Sequence, residues 1–248
     1  MNHMKTLYKK ICVLFWTILI ILSLTSCQQS DSMELSSVTE TILQSYGVEK
    51  SSITSIGDYD LIHVELSAPS FDEEGFEVYF DEVYSSFGQL TDKFVEEQFG
   101  FNSVEELKED EKEQYLGHLR TMALYEAEAE VIEKLLAEAS FQLDEKEIAD
   151  YSRQIVYRQE NFSNLFGYDS FDDYVEEELG YSESQFLQNC ITQGEEEMKR
   201  YLVVGAIAKK ENLDADLNEN TPDAYAYLEN QVFDMFISYS DDFWGVSE

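Results

Sequence analysis

Basic residues are scarce in this sequence. Its 248 residues include 16 lysines and arginines against 52 aspartates and glutamates, which gives a formal net charge of -36. Neutralising nucleic-acid phosphates requires clustered lysine and arginine, so this composition argues against a nucleic-acid partner. Anionic lipid headgroups would also repel the chain, and any attachment to a membrane therefore needs a covalent lipid.

Cysteine and histidine are equally rare, with three of each. Cys190 is the only cysteine beyond residue 27, so the body of the chain has no intramolecular disulfide. A cysteine inside a helix favours a buried, small apolar residue, with a reactive thiol as the alternative. His63 and His118 are isolated, and neither has metal-ligand spacing or a nucleophile with which to pair. The sequence therefore predicts no catalytic residue, no metal and no cofactor.

One acidic stretch, Asp214-Ala-Asp216-Leu-Asn218, begins like a calcium-binding loop. Glu219 stands where that loop requires glycine, and Tyr225 stands where its closing glutamate belongs. We therefore expect no calcium site here.

The first residues have the pattern of an export signal. Three lysines precede an apolar run at residues 11–24, which is shorter than the 20 or so residues of a membrane-spanning helix. The run ends at Leu24-Thr25-Ser26-Cys27, which looks like a bacterial lipobox. We expect a signal peptide at 1–26, lipidation at Cys27 and a polar tether at 27–37, with the protein on the extracytoplasmic face of the cell membrane. An uncleaved membrane anchor is the alternative.

Proline is nearly absent, since only Pro69 and Pro222 occur, so few residues interrupt helices. Ser37-x-x-Glu40, Ser103-x-x-Glu106 and Ser182-x-x-Gln185 fit capping boxes, and Thr221-Pro222 fits a helix start. The pattern predicts helices near 38–46, 73–87, 91–98, 104–139, 144–166, 171–178, 183–211 and 222–239. Residues 61–66 alternate like a strand, but a lone strand makes no sheet. The predicted class is all-α, in a domain at 38–248.

Two of these helices have unusual surfaces. The helix at 104–139 contains KEDEKEQ at 108–114, without an apolar residue, before a stripe of apolar residues begins. This predicts long antiparallel helices with partly solvated ends, which form arms or a cradle; a compact bundle is the alternative. Residues Tyr201–Ala208 are apolar on every side, so they are the hub of the fold, and their outer side either is buried or continues into a binding surface.

Three segments carry a resemblance to a known family. LTDKFVEEQFGFNSVEELKED (90–110), FDDYVEEELGYSESQF and EEEMKRYLVVGAIAKKENLDAD resemble the C-terminal domain of trigger factor. The segment at 57–76 is more weakly similar to that family's linker. The resemblance covers about residues 53–220 and is strongest over 90–213. It implies a chaperone body that binds unfolded chains in a cradle between helical arms.

The sequence also departs from this family. No ribosome-docking domain lies upstream, and only Phe76 to Gln89 separates the linker from LTDKFV, where the family has an FKBP-like prolyl isomerase domain. The resemblance therefore implies a chaperone without ribosome binding and without isomerase activity. Two alternatives remain: an adaptor or structural lipoprotein with one defined partner, and a foldase that retains isomerase activity.

Unfolded or newly exported polypeptides are the expected partners, bound by apolar residues near helix ends and on the hub. The candidate client-binding residues are Tyr115, Tyr125, Phe162, Phe166, Tyr174, Tyr201, Val204, Phe233, Met235 and Phe236.

Overall fold

The structure is a computed structural model that describes residues 32–215, 217, 221 and 223–244. Most of these residues are helical. The helices are α1 (Ser37–Ser45), α2 (Glu73–Tyr84), α3 (Asp92–Phe99), α4 (Val104–Glu138), α5 (Glu145–Phe166), α6 (Phe171–Asp173), α7 (Glu183–Lys210) and α8 (Ala224–Phe236). The all-α class is confirmed.

Several helices begin where the sequence places a cap. Ser182 forms the predicted capping box with Gln185 at the start of α7. At α4, Ser103 accepts from the Glu106 amide, but the Glu106 carboxylate accepts from Asn102, so only half of the predicted box forms. The cap of α1 is Ser36 and not Ser37, because the Ser36 hydroxyl accepts from the Thr39 amide.

Short strands are the main feature that the sequence reading missed. The structure has β1 (Ser52–Ser55), β2 (Val64–Leu66), β3 (Ser140–Gln142) and β4 (Ile237–Tyr239). β1 pairs antiparallel with β3, and β2 pairs in parallel with β4. The prediction of a lone strand near 61–66 is wrong. Residues 237–239, which were predicted to be the end of the last helix, form a strand that pairs with it. The last helix begins at Ala224, whereas Pro222 lies outside the described residues.

The described residues fall into two compact units. Unit 1 comprises 32–58 and 138–229, and unit 2 comprises 59–137 and 230–244. The final helix α8 contributes residues 224–229 to unit 1 and 230–236 to unit 2.

In unit 1, α5 and α7 pack closely where a glycine removes the side chain from one of them. A Cβ built on Gly194 would lie 2.9 Å from Ser152 Oγ. The loop before β1 is held by a buried carboxylate, since Glu147 accepts hydrogen bonds from the amides of Glu49, Lys50 and Ser51 at 2.9, 2.6 and 2.9 Å. Three charge-assisted bonds fix this loop on α5.

Unit 2 has an aromatic core between α2, α3 and α4. Its buried members are Phe76, Phe80, Tyr84, Val95, Leu107 and Tyr115. The sequence suggested that the polar segment at 108–114 is exposed to solvent, but part of it contacts α2. Lys108 Nζ bonds Glu77 on α2 at 2.6 Å, and Tyr84 donates to Glu111 at 2.6 Å. The polar turns of α4 therefore pack on α2 through ion pairs and hydrogen bonds.

None of the helices within 32–215 and 223–244 is both long and apolar enough to cross a bilayer.

Candidate functional site

The hub of unit 1 is the apolar stretch of α7. All eight residues of Tyr201–Ala208 are buried. Gly205 faces α1 so closely that an added Cβ would lie 2.7 Å from Thr39 Cγ2. This confirms that the stretch is a core element. Tyr201 and Val204, both proposed from the sequence as client-binding residues, are therefore core residues in this structure.

Tyr201 is held in place by a cluster of tyrosines. Its ring lies 4.9 Å from that of Tyr46 and 4.7 Å from that of Tyr225, and its hydroxyl is 3.1 Å from the hydroxyl of Tyr151. Burial and the hydrogen bond with Tyr151 raise the pKa of Tyr201 far above its usual value. Tyr201 therefore stays neutral at physiological pH and serves the packing of unit 1.

A second polar contact fastens the N-terminal segment to the end of α7. The buried carboxylate of Asp214 accepts from the hydroxyls of Ser36 and of Thr39, the latter at 2.8 Å. Lys209 Nζ also donates to the carbonyl of Leu35 at 3.3 Å. Asp214, the first residue of the calcium-like stretch, is thus engaged inside the protein, and Asp216 and Asn218 lie outside the described residues. Within the part of the chain that the structure describes, no group of three or more metal-ligating side chains occurs.

Apolar side chains are exposed in unit 1 along the C-terminal part of α5. Tyr157, Phe162, Leu165 and Phe166, which we call the α5 surface, are 62%, 46%, 79% and 69% exposed. The helix ends directly after them because Gly167 adopts a left-handed conformation with φ of 79°. At 3.6 residues per turn, Phe162, Leu165 and Phe166 lie towards one side of α5, whereas Tyr157 lies on the side opposite Phe166. Exposed apolar residues clustered in this way are typical of interaction sites.

The α5 surface rests on a small core of its own. The buried members of this core are Ile155, Val156, Tyr174, Val175, Phe186, Leu187 and Cys190. Phe166 stacks on Tyr174 with ring centres 6.5 Å apart and an interplanar angle of 11°. Tyr174 is itself buried, and its hydroxyl donates to Gln159 at 3.0 Å. Burial raises the pKa of Cys190 to about 11, so its thiol is protonated and unreactive at neutral pH.

Unit 2 contains the remaining candidates. Tyr115 is buried against Phe76 and Tyr79, with ring centres 5.6 and 5.3 Å away. Phe233 and Phe236 are buried as well, whereas Tyr125 and Met235 are exposed, at 60% and 39%.

Six of the ten candidates are therefore buried and four are exposed. Of the ten candidates, only Tyr125 and Met235 in unit 2 and Phe162 and Phe166 in unit 1 are exposed to a polypeptide outside the protein. The sequence reading missed Tyr157 and Leu165, whose positions on the outward face of α5 follow from the period of that helix. Client binding by any of these residues stays a prediction.

A helical protein that exposes clustered aromatic and aliphatic side chains on an acidic surface is suited to contacts with other polypeptides. The family model described as bacterial trigger factor protein C-terminus matches residues 103–230, just over half of the chain, and the protein belongs to this family. The predicted resemblance is confirmed from residue 103 onward, and residues 53–102 lie outside the match. A search of curated proteins and a search of solved structures each found no match.

Membership in this family indicates a chaperone-like role. The trigger factor C-terminal domain is a chaperone domain and not a catalytic one, and it binds unfolded polypeptides. The α5 surface lies within the matched residues, which places exposed apolar side chains on the part of the chain that defines the family.

Proposed function

We propose that this protein is a membrane-anchored, extracytoplasmic chaperone that holds unfolded polypeptides through exposed apolar side chains. The observation that carries the proposal is the α5 surface, four large apolar residues exposed on an acidic protein of the trigger factor C-terminal family. Each contact is worth about 25 cal/mol per Å² of apolar surface buried, so several weak contacts together hold a client. The net charge of -36 keeps copies of the protein apart while this surface is uncovered.

Suppression of aggregation tests the proposal. Light scattering of several unrelated reduced clients should rise more slowly in the presence of the protein. Replacing Tyr157, Phe162, Leu165 and Phe166 together with serine should remove most of this effect, and any one replacement should reduce it only modestly. Exchanging Phe162 and Phe166 for leucine is the matched control, because it keeps the positions apolar and should preserve the activity.

Circular dichroism on each variant separates lost binding from lost folding. Wild-type protein that leaves the aggregation of every client unchanged would refute the proposal. Crosslinking in intact cells then decides for the adaptor alternative if it recovers one saturable partner instead of many.

The membrane anchor is a separate part of the proposal. Its support is the lipobox-like sequence at Leu24-Thr25-Ser26-Cys27, which lies outside the described residues. Cys27→Ala should abolish lipidation and leave an unprocessed or released protein, because the Cys27 thiol is the site of acylation. Metabolic labelling with a fatty acid, followed by detergent partitioning, measures this; a variant that still takes up label and stays in the membrane contradicts it.

We further propose that the protein lacks prolyl isomerase activity. The segment from Phe76 to Gln89 supports this, because it continues α2 and ends in a single 3-10 turn at Ser85–Phe87. A proline tetrapeptide assay on the purified protein should show the uncatalysed rate. Catalysis that an FKBP inhibitor abolishes would favour the foldase alternative.

A further inference from the structure

A small pocket opens in unit 1 beside the α5 surface. It has a volume of about 130 Å³ and is lined by Phe171, Val175, Tyr181 and, from α7, Phe186 and Leu187. Building on the proposed function, we infer that this pocket receives one apolar side chain of a bound polypeptide, up to the size of a phenyl ring.

The pocket is built into the fold. Residues Tyr174–Glu178 form a π-helical turn in which the Leu179 amide donates to the Tyr174 carbonyl at 3.2 Å. This wider turn is followed at once by the bond from the Tyr181 amide to the Val175 carbonyl and by the capping box that begins α7. Such turns are rare and occur often at functional sites. Because both of its flanks are hydrogen-bonded, the wall at Val175 is fixed before a ligand arrives.

The walls are core side chains. Val175, Phe186 and Leu187 are buried, and the ring of Phe171 meets that of Phe186 edge to face at 5.4 Å. Side chains held this way do not collapse into the space they border, so the pocket is preformed for an apolar occupant.

The volume limits the occupant. An engineered cavity of about 150 Å³ in another protein binds benzene, so a space of this size accepts a leucine side chain or a phenyl ring. An indole is larger by a fused ring and would leave part of its surface outside. The preference should therefore peak at leucine and phenylalanine and decline at tryptophan.

The charge at the pocket affects which residues can stand next to the bound side chain in the client sequence. Three charged side chains line the pocket, Asp172, Glu176 and Glu183, and all three are acidic. These three side chains would repel a carboxylate on a client residue next to the bound one. The repulsion weakens over a Debye length of about 8 Å at physiological salt, so it acts only on near neighbours. The occupant is thus an apolar residue whose immediate neighbours are not acidic.

The pocket also adjoins the α5 surface. Phe171 stacks on Tyr174 at 6.2 Å, and Tyr174 carries Phe166 on its ring at 6.5 Å. The ring centres of Phe166 and Phe171 are therefore no more than about 13 Å apart, a distance that about four extended residues of a client span. The α5 surface contributes general apolar contact, whereas the pocket contributes a size limit.

Four fluorescent peptides test the inference. They share one uncharged sequence and differ only in a central alanine, leucine, phenylalanine or tryptophan. The full-length protein is held in nanodiscs, with empty nanodiscs subtracted, and binding is read by fluorescence anisotropy. We expect affinity to rise about tenfold from alanine to leucine and phenylalanine, and to drop about threefold at tryptophan.

Two variants locate the effect. Val175→Leu narrows the pocket and should lower the affinity of the phenylalanine peptide about tenfold while the alanine peptide is unaffected. Leu165→Ser is the control on the α5 surface, and it should weaken all four peptides alike without changing their order. A peptide with photo-leucine at the central position, tested on the wild-type protein, should crosslink to Phe171 or Tyr181, which requires no variant to fold.

Affinity that keeps rising through tryptophan, or crosslinks that avoid the pocket, overturns the inference. If aggregation is still suppressed in that case, the inference that the pocket binds a client side chain is wrong and the proposed chaperone function stands. If the protein neither suppresses aggregation nor binds any peptide, both are wrong.

Discussion

Replacing Gly205 with alanine sets two opposing effects against each other. Alanine in a helix interior is favoured over glycine by about 1 kcal/mol. At position 205, however, the new Cβ would lie 2.7 Å from Thr39 Cγ2, and Thr39 is fully buried with its hydroxyl bonded to Asp214. Because the Thr39 side chain is short and fixed by this hydrogen bond, it cannot move far from the new Cβ. Overpacking of a core costs about 1–3 kcal/mol. The steric cost should win, with a net loss of up to about 2 kcal/mol.

Gly117 supplies the matched control. It lies within α4, and a Cβ added there meets no other atom within 4 Å. Gly117→Ala should therefore stabilise its helix by up to about 1 kcal/mol. Native-state hydrogen exchange measures the opening free energy of α7 and α4 separately, which suits a chain with two units.

A second substitution identifies the clashing atom. Thr39→Ser removes Cγ2 but keeps the hydroxyl that donates a hydrogen bond to Asp214. By itself it should cost about 1 kcal/mol, because it leaves a methyl-sized cavity in the core. In the Gly205→Ala background it should instead restore stability, so the two substitutions are strongly coupled. Strictly additive effects, or a Gly205→Ala that stabilises as much as Gly117→Ala, would refute this account of the α1–α7 contact.

Three further predictions follow from burial. Leu202→Ser should unfold unit 1, since deleting a buried leucine costs about 2–5 kcal/mol, whereas Phe166→Ser at an exposed position should leave the circular dichroism spectrum unchanged. Asp214→Ala should cost about 1–3 kcal/mol, because it leaves the buried hydroxyl of Thr39 and the half-buried hydroxyl of Ser36 without their acceptor, and it should speed hydrogen exchange in α1. Asp214→Asn, which keeps an acceptor oxygen, should cost less. Cys190 should resist alkylation at pH 7.5, read by mass spectrometry of its peptide. Folding raises the pKa of the Cys190 thiol from 9.0 to about 11. The protonated thiol should therefore contribute fully to the free energy of unfolding below pH 9, and this contribution should be lost as the pH rises towards 11. Cys190→Ala should not show that loss.

The helices were predictable from the sequence because their caps and periodicity are local. Ser182 and Gln185 form the predicted box, and the end of α5 needs only Gly167. The strands were not predictable, because three residues such as Ile237–Tyr239 carry no alternation long enough to recognise, and their helical context favoured continuing α8.

Exposure was harder to predict than secondary structure. Tyr115 and Tyr174 both stand next to polar stretches, which suggests exposure to solvent, but both are buried. Tyr115 is covered by Phe76, which is distant in sequence, and Tyr174 by its near neighbours Phe166 and Phe171. Leu165 shows the reverse: the helical period places it on the outward face of α5, but the period does not show whether another element covers that face, and the side chain is 79% exposed. Burial depends on which elements meet, and periodicity alone gives only the face of the helix.

Each of the two units is assembled from separate stretches of the chain, and this affects how the protein comes into being. Unit 1 joins residues before 58 to residues after 138, and β2 at 64–66 finds its partner only at 237–239. Pairings over such sequence separations form slowly, because a long loop must close before they contribute. In a chain made from its N-terminus, unit 1 is incomplete until residue 229 has appeared, and β2 has no partner until residues 237–239 have appeared. During its own synthesis, therefore, we expect this protein to expose apolar surface that its later residues cover, which is the kind of surface that its family binds.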